Sequence, residues 1–333
     1  IETAVRTSQI HPRLHKGASE GKVHMVRADL MNREARALLQ AAARVSLVAH
    51  RGLIADQLAR IVGSAAAPAA TSRETAPVHA APESHQDVAA GLEFFNGLGG
   101  FGNDGTEYVT ILHNGDQTPA PWINVIANAE FGFQVSASGS GYCWAENSRE
   151  NQLTPWSNDP VGDPSGEAIY IRDEVSRTVW TPTIHPISDG GTYVTRHGFG
   201  YSRFEHAANG IAADLVQFVP LADPIKISRL TLTNHSGRVR RLTVTSYVEW
   251  VLGTSRGGSA PFILAEKDPQ TGALFARKPW NDAFADRIAF ADLGGEQTAW
   301  TANRTEFIGR NGGLDMPAAL VGDAELAGAA GAG

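Results

Sequence analysis

The chain has 333 residues, 42% of them hydrophobic and only 19% charged, with a formal net charge of −7. That length suits two ordinary domains with a sizeable core, and the acidic balance disfavours a nucleic-acid partner, which selects for basic patches. No run of about 18 apolar residues is present to span a bilayer as a helix, and the single cysteine, Cys143, excludes an internal disulfide and a cysteine-based zinc site.

Glycine, at 35 residues, exceeds its usual share of about 7%. Together with seven tryptophans and little charge it points to a turn-rich β protein. No signal peptide is recognisable. Residue 1 is Ile and the last residues are an Ala/Gly run, from which a piece of a longer polypeptide is expected.

Residues 1–63 read as an α/β segment. Val23–Ala28 is a strand candidate, and Asp29 or Asn32 can cap a helix over Arg33–Ala43 by accepting the free amides of its first turn. Val45–Val48 is β-prone and a second helix is expected over Leu53–Val62. The competing reading is one amphipathic helix from 30 to 62, which Gly52 and the valines oppose. Residues 64–90 are rich in Ala, Pro and small polar residues, and predict a linker that buries too little to offset its ordering entropy.

From 91 to 333 the hydrophobic period is two. Leu242, Val244, Val248 and Trp250 share one strand face, and Thr243, Thr245, Tyr247 and Glu249 the other. Similar runs are Tyr108–His113, Phe131–Ser136, Ala168–Arg172, Tyr193–His197, Leu215–Val219 and Ile225–Asn234. They are separated by turn signals such as Asn209-Gly210 and Ser236-Gly237. This predicts a mainly β fold, a sandwich or barrel, without an internal repeat.

Gly97–Gly102 fits G-x-G-x-x-G, but a dinucleotide site needs a helix after it and none is predicted. A flexible glycine-rich lead-in is expected instead. The stretch 142–159, YCWAENSRENQLTPWSND, is the most informative. Trp144 and Trp156 flank a polar loop carrying Asn147, Arg149, Asn151, Asn158 and Asp159. Aromatic rings suit the apolar C–H faces of sugars, and amides, carboxylates and arginine suit their hydroxyls. A loop that satisfies its own backbone is the alternative. Asp159, Asp163, Asp173, Glu205, Asp214 and Glu249 are carboxylates with no spacing that fixes a glycosidase pair. His185, His197 and His206 lack metal-ligand spacing, and no metal or catalytic residue is assigned.

The stretches LEFFNGLGGF (92–101), GTEYVTIL (105–112), TPAPWINVIAN (118–128), ENSRENQLTPWSNDPV (146–161), GYSRFEHAANGIA (200–212), PIKISRLTLTN (224–234), TSYVEWVLG (245–253) and RTEFIGRNG (304–312) closely resemble, in order, the β-sandwich of one known family. That sandwich opens the glycoside hydrolase family 94 phosphorylase module of bacterial cyclic β-1,2-glucan synthases. The segment 24–61, with HMVRADL and ALLQAAARVSLVAHRG, within residues 1–63, looks like the tail of the module before it.

The resemblance implies a galactose-mutarotase-like supersandwich that packs on an (α/α)₆ barrel later in the same chain. It implies a parent that carries a membrane-embedded family 84 glycosyltransferase at the cytoplasmic face of the inner membrane. The parent's family 94 module would shorten β-1,2-glucan by phosphorolysis, with inorganic phosphate as co-substrate and no cofactor, and the assembly could be a homodimer. The general acid lies in the barrel, so the resemblance assigns no catalytic residue here. What it carries over is the polar loop, as a contributor to glucan binding or to barrel packing. A free-standing glucan-binding module, the sandwich of a β-1,2-oligoglucan or cellobiose-type phosphorylase, and a purely structural domain are the alternatives.

Overall fold

The computed structural model describes residues 31–42 and 85–333, apart from positions 114, 158, 160, 282, 323–325, 329 and 333. Helix α1 (Arg33–Ala42) forms where the sequence places one, and the Asn32 side-chain oxygen accepts from the Ala35 amide at 2.7 Å as its cap. The strand expected at 23–28, the β-prone 45–48, the helix expected at 53–62 and linker residues 64–84 lie outside the described residues. The last six residues of the expected linker form helix α2 (His85–Ala90).

The remainder is mainly β and antiparallel. One layer is a six-stranded sheet in the order β1 (Gly99–Gly102), β2 (Glu107–His113), β8 (Thr192–Gly198), β9 (Tyr201–Ala208), β10 (Ile211–Phe218), β11 (Ile227–Asn234). Two three-stranded sheets face it. One is β3 (Ile123–Ala127), β4 (Phe131–Ser136) and β5 (Gly141–Ala145). The other runs β12 (Leu242–Val248), β6 (Glu167–Asp173), β7 (Val179–Trp180). A smaller sheet orders β15 (Ala289–Ala291), β14 (Leu274–Arg277), β13 (Leu264–Lys267) and β16 (Gly331–Ala332).

Alternation sets the layers. On β9 and β10, Phe204, Ile211, Ala213 and Leu215 point inward and are buried. Phe204 and Leu215 pack against Ile126, Phe131, Phe133, Val135 and Cys143 of the β3–β4–β5 sheet. Ile211 and Ala213 pack against Ile171 and Trp180 of β6 and β7. The alternate residues point outward as a charge ladder across four strands. Arg196 reaches Glu205 at 2.7 Å and Glu107 at 3.6 Å, while Arg203 reaches Asp214 at 2.9 Å and Glu205 at 3.1 Å. Such cross-strand pairs contribute about 0.2–1 kcal/mol each. Asn209 and Gly210 both take positive φ, 53° and 76°, which matches the twist of the β9–β10 hairpin.

Two expectations change. The glycine-rich 97–102 segment is an edge strand rather than a flexible lead-in. A Cβ on Gly99 would come within 2.6 Å of the Val109 carbonyl oxygen and one on Gly100 within 2.7 Å of that of Glu93. The glycines are there because β1 is pressed between β2 and the Glu93–Phe101 bridge. On β12, the expected polar face is covered at its Tyr247 end, while Thr243 stays exposed. Tyr247 is buried and stacked on Phe307 at 5.2 Å, beneath helices α4 (Arg304–Ile308) and α5 (Ala318–Val321); the intervening helix, α3, is Arg256–Ser259. Val244, on the opposite face, stays 36% exposed, because no described strand lies beyond β12 on that side. β11 is likewise an edge, and its inward Leu230 and Leu232 are half-buried.

His197 shows what an interior histidine does here. Its Nε2 lies 3.3 Å from the Trp122 carbonyl oxygen and its Nδ1 2.9 Å from the Ser202 hydroxyl. A carbonyl only accepts, so Nε2 carries the proton and Nδ1 accepts from Ser202, which is the neutral ring. Burial, partly opposed by the Trp122 carbonyl, pushes its pKa down to about 4. A folded pKa below the unfolded value of about 6.5 gives stability that is complete above about 6.5 and lost as pH falls toward the folded value. The His197 ring resonances are therefore expected to hold their neutral shifts down to about pH 5, with the thermal midpoint falling below about pH 6.5. A ring that titrates near pH 6.5 in the folded protein would contradict this.

Candidate functional site

Strand β5 carries YCWA, and its alternation divides the side chains between two faces. Cys143 points inward beside Phe131 and Phe133. Tyr142 and Trp144 take the other face, opposite Gln134 and Gly132 of β4, where Trp144 is half-buried and Tyr142 is buried at 8% exposure. Trp144 lies across Gly132, where any Cβ would collide with the indole. Trp156 approaches from the loop that follows and is 47% exposed. The Tyr142 ring is 5.3 Å from Trp144, at 41° between planes, and 5.9 Å from Trp156, at 36°. On the same face, β3 continues the surface with exposed Ile123 and Val125, Val125 standing opposite Gln134.

Of the residues singled out in the sequence, Trp144 and Trp156 thus share one surface. Tyr142, not singled out, joins them; the parity it shares with Trp144 was the signal. The polar members turn elsewhere. Asn147 accepts from the amides of Arg149 and Glu150 at 2.9 and 2.8 Å. Asn151 is buried and donates to the Ala145 carbonyl at 3.1 Å. Arg149 is exposed and pairs with Glu150 at 3.4 Å. Asp159 accepts from the amides of Val161 and Gly162 at 3.0 and 2.9 Å, and these bonds, that from Gly162 foremost, hold its carboxyl below its ordinary pKa. Asn158 lies outside the described residues.

Beneath this loop is a cluster that sequence reasoning missed. Glu167 Oε1 accepts from Thr154 Oγ1 at 2.6 Å and Cys143 Sγ at 2.9 Å, and Glu167 Oε2 pairs with Lys226 Nζ. The Lys226 ammonium also sits 5.0 Å from the Phe133 ring centre. Burial works to raise the Glu167 pKa, but the Lys226 charge and the hydrogen bonds from Cys143, Lys226 and Thr154 outweigh it and hold the carboxyl low. Burial also pushes the Cys143 thiol up, and the Glu167 charge adds to that. The cluster lines a cleft of about 1280 Å³, whose walls include Leu230 of β11 and Val244 of β12. Residues 143, 154, 167 and 226 are too far apart in sequence for any motif to join them.

The other sequence-flagged carboxylates are engaged. Asp163 accepts from Ser136 at 2.6 Å, Asp173 pairs with Arg240, and Glu249 pairs with Arg256. Glu205 and Asp214 belong to the charge ladder. His206 lies against Asp189 at 2.8 Å and the Thr192 carbonyl at 2.8 Å. Among the described residues, no group of three or more His, Cys, Asp or Glu side chains is arranged to hold a metal ion. No described helix is long and apolar enough to cross a membrane.

Residues 106–333 match the sequence pattern of the glycosyl hydrolase 94 supersandwich domain. The chain is 40% identical over 324 residues, 94% of its length, to the cyclic beta-(1,2)-glucan synthase NdvB of Rhizobium meliloti (strain 1021), and spans 11% of that protein. It is 31% identical over 234 residues to the solabiose phosphorylase of Paenibacillus borealis, covering 68% of this chain and 30% of the relative. It is 32% identical over 155 residues to the N,N'-diacetylchitobiose phosphorylase of Vibrio proteolyticus, covering 46% of this chain and 19% of the relative. The chain therefore spans between about a tenth and a third of these relatives.

Proposed function

Because the chain belongs to the glycosyl hydrolase 94 supersandwich family, we propose that it is an accessory, non-catalytic sandwich of a cyclic β-1,2-glucan synthase. In this reading it presents glucan to a phosphorolytic (α/α)₆ barrel of the same protein. The single observation that carries the reading is the three-ring surface of Trp144, Tyr142 and Trp156. It lies within a chain that matches a glucan synthase over 94% of its length. Of the three rings Trp156 is the exposed one at 47%, with Trp144 half-buried and Tyr142 buried beside it, and an exposed aromatic face bordered by hydrogen-bonding groups is what a sugar requires of a protein.

The whole protein would act by inversion. Phosphate attacks the anomeric carbon while an acid in the barrel protonates the departing oxygen, so phosphate takes the place of the water used by an inverting hydrolase. The sandwich contributes no group to those bonds. We place the whole protein at the cytoplasmic face of the inner membrane, held there by segments outside this sandwich, and a homodimer would bring a second sandwich to the same substrate.

A second reading is favoured by Ile123 and Val125, which extend the same face as exposed aliphatic surface suited to packing against another domain. The two readings separate in the full-length protein. Trp156→Ala is expected to lower phosphorolysis of β-1,2-glucan at least about fivefold at sub-saturating glucan, an effect of about 1 kcal/mol, with an unchanged unfolding midpoint. Unchanged kinetics would remove the surface from glucan handling. Phosphate consumption by the 333-residue chain alone, with β-1,2-gluco-oligosaccharides, would overturn the non-catalytic assignment.

A further inference from the structure

On one side of the sandwich both layers end in long strands that no described strand covers. We propose that this side receives a segment of the full-length protein from outside residues 1–333, whose extended runs add as strands to the free edges of β11 and β12 and carry apolar residues at alternate positions. The proposal goes beyond the glucan reading and does not depend on it.

A free strand edge presents a row of unpaired amides and carbonyls, and proteins blunt such edges with short strands, proline, bulges or inward charges. The opposite edges of the two sheets obey this. β1 has four residues, three of them glycine, and its Phe101 is bridged to Glu93, while β7 has only two residues. β11 and β12 do not. They run for eight and seven residues, and each pairs residue for residue with β10 or β6, without a bulge. Neither holds a proline, and between them they carry one charge, Arg229. Their Ile, Val, Thr and Tyr residues are strand formers suited to a neighbour on each side.

The two edges border one cleft. Leu230 of β11 and Val244 of β12 line it from the two layers, and Ile288, Phe290 and Leu293 line it further on, the last three each about half exposed. Its volume of about 1280 Å³ exceeds the roughly 300–1,000 Å³ of pockets that hold small molecules. A strand laid along either edge would continue the sheet through main-chain bonds, and its alternate side chains would extend the inner rows of Leu230 and Val244 into the cleft.

The length of the relatives favours an occupant from the same protein. This chain covers 11% of the glucan synthase and 30% of the solabiose phosphorylase. A tethered segment meets the edges at a high effective concentration, which a second copy of the chain does not.

Hydrogen exchange read by mass spectrometry on peptides spanning 227–234 and 242–248 tests this, with the 333-residue chain compared with the full-length protein. In the 333-residue chain the amides directed at the free edges are expected to exchange rapidly. In the full-length protein the same amides should exchange at least about tenfold more slowly. Val244→Lys should restore rapid exchange at β12 in the full-length protein, where its charge would be buried beneath the added strand. It should move the unfolding midpoint of the 333-residue chain little, because there the ammonium reaches the open cleft. A benzoyl-phenylalanine photo-cross-linker in place of Val244 in the full-length protein identifies the occupant, and capture of a segment outside residues 1–333 with alternating apolar residues is expected. Equal exchange in the two proteins, or a cross-link confined to residues 1–333 of the same or a second copy, would overturn the proposal. Protection in the 333-residue chain that grows with protein concentration would overturn it in favour of edge-to-edge pairing between copies.

Discussion

Lys226→Met is expected to destabilise the sandwich by about 3–5 kcal/mol, the cost of leaving a buried charge without its partner. The Glu167 carboxylate would keep its bonds from Thr154 and Cys143 but lose the ammonium that pairs with it. It would then have to be protonated or stay charged in an apolar seam beside Phe133 and Leu215. Urea denaturation at pH 7 measures the loss. Pairing the substitution with Glu167→Leu should recover most of it, since a matched apolar pair often serves as well as a buried ion pair. A single-variant loss below about 1 kcal/mol would show that solvent reaches the pair. Acid adds a second signature. The Glu167 carboxyl is held below its ordinary pKa, so its contribution is complete above about 4.3 and is lost as pH falls through the folded value.

Asp173→Ala should have a comparable effect for a different reason. The Asp173 side chain is 1% exposed and that of Arg240 5%. Asp173 Oδ1 accepts from the amides of Val175 and Ser176 at 2.7 and 3.0 Å, fixing the turn between β6 and β7. Its Oδ2 accepts from Arg240 Nε at 2.7 Å, and Arg240 in turn donates to the Asn209 carbonyl in the β9–β10 hairpin. One carboxylate thus joins the two layers of the sandwich at one end.

Truncation strands the Arg240 guanidinium and two turn amides, for an expected loss of about 3–5 kcal/mol in denaturant unfolding. Burial works to raise the Asp173 pKa, but the amides of Ser176 and Val175 and the Arg240 guanidinium hold it low. Its stabilisation is therefore complete above about 3.9 and vanishes as pH drops through the folded value. The wild type should lose stability between about pH 4 and pH 2 more steeply than Asp173→Ala. Parallel acid limbs in the two proteins would contradict the assignment.

These two sites mark where the sequence stopped being informative. Strand Ile211–Phe218 alternates strictly between buried and half-buried residues, so its Leu215–Val219 part was readable; Phe131–Ser136 was readable from its Phe, Phe and Val at every second position, although both of its faces are largely buried. Short or irregular strands were not. β1 is three parts glycine, β7 has two residues, and β13–β16 lie in a sheet whose residues are mostly half-exposed. Their pairing comes from tertiary neighbours rather than local pattern.

Tyr247 defeated the alternation rule because α4 and α5 cover what would otherwise be a solvent face. The candidate surface was half legible. Two tryptophans around a polar loop announced it, yet the loop's amides and Asp159 turn to their own backbone, as short polar side chains do at turns. Glu167 and Lys226, 59 positions apart, leave no trace in any local window.

Thr154 lies only two residues before Trp156, and its hydroxyl is locked to Glu167. The intervening Pro155 fixes φ and removes one further freedom. Trp144 is similarly immobilised on Gly132. The conformational entropy of this surface is thus surrendered when the chain folds. A ligand that settles on it meets rings already at rest, and more of its contact energy is retained as affinity.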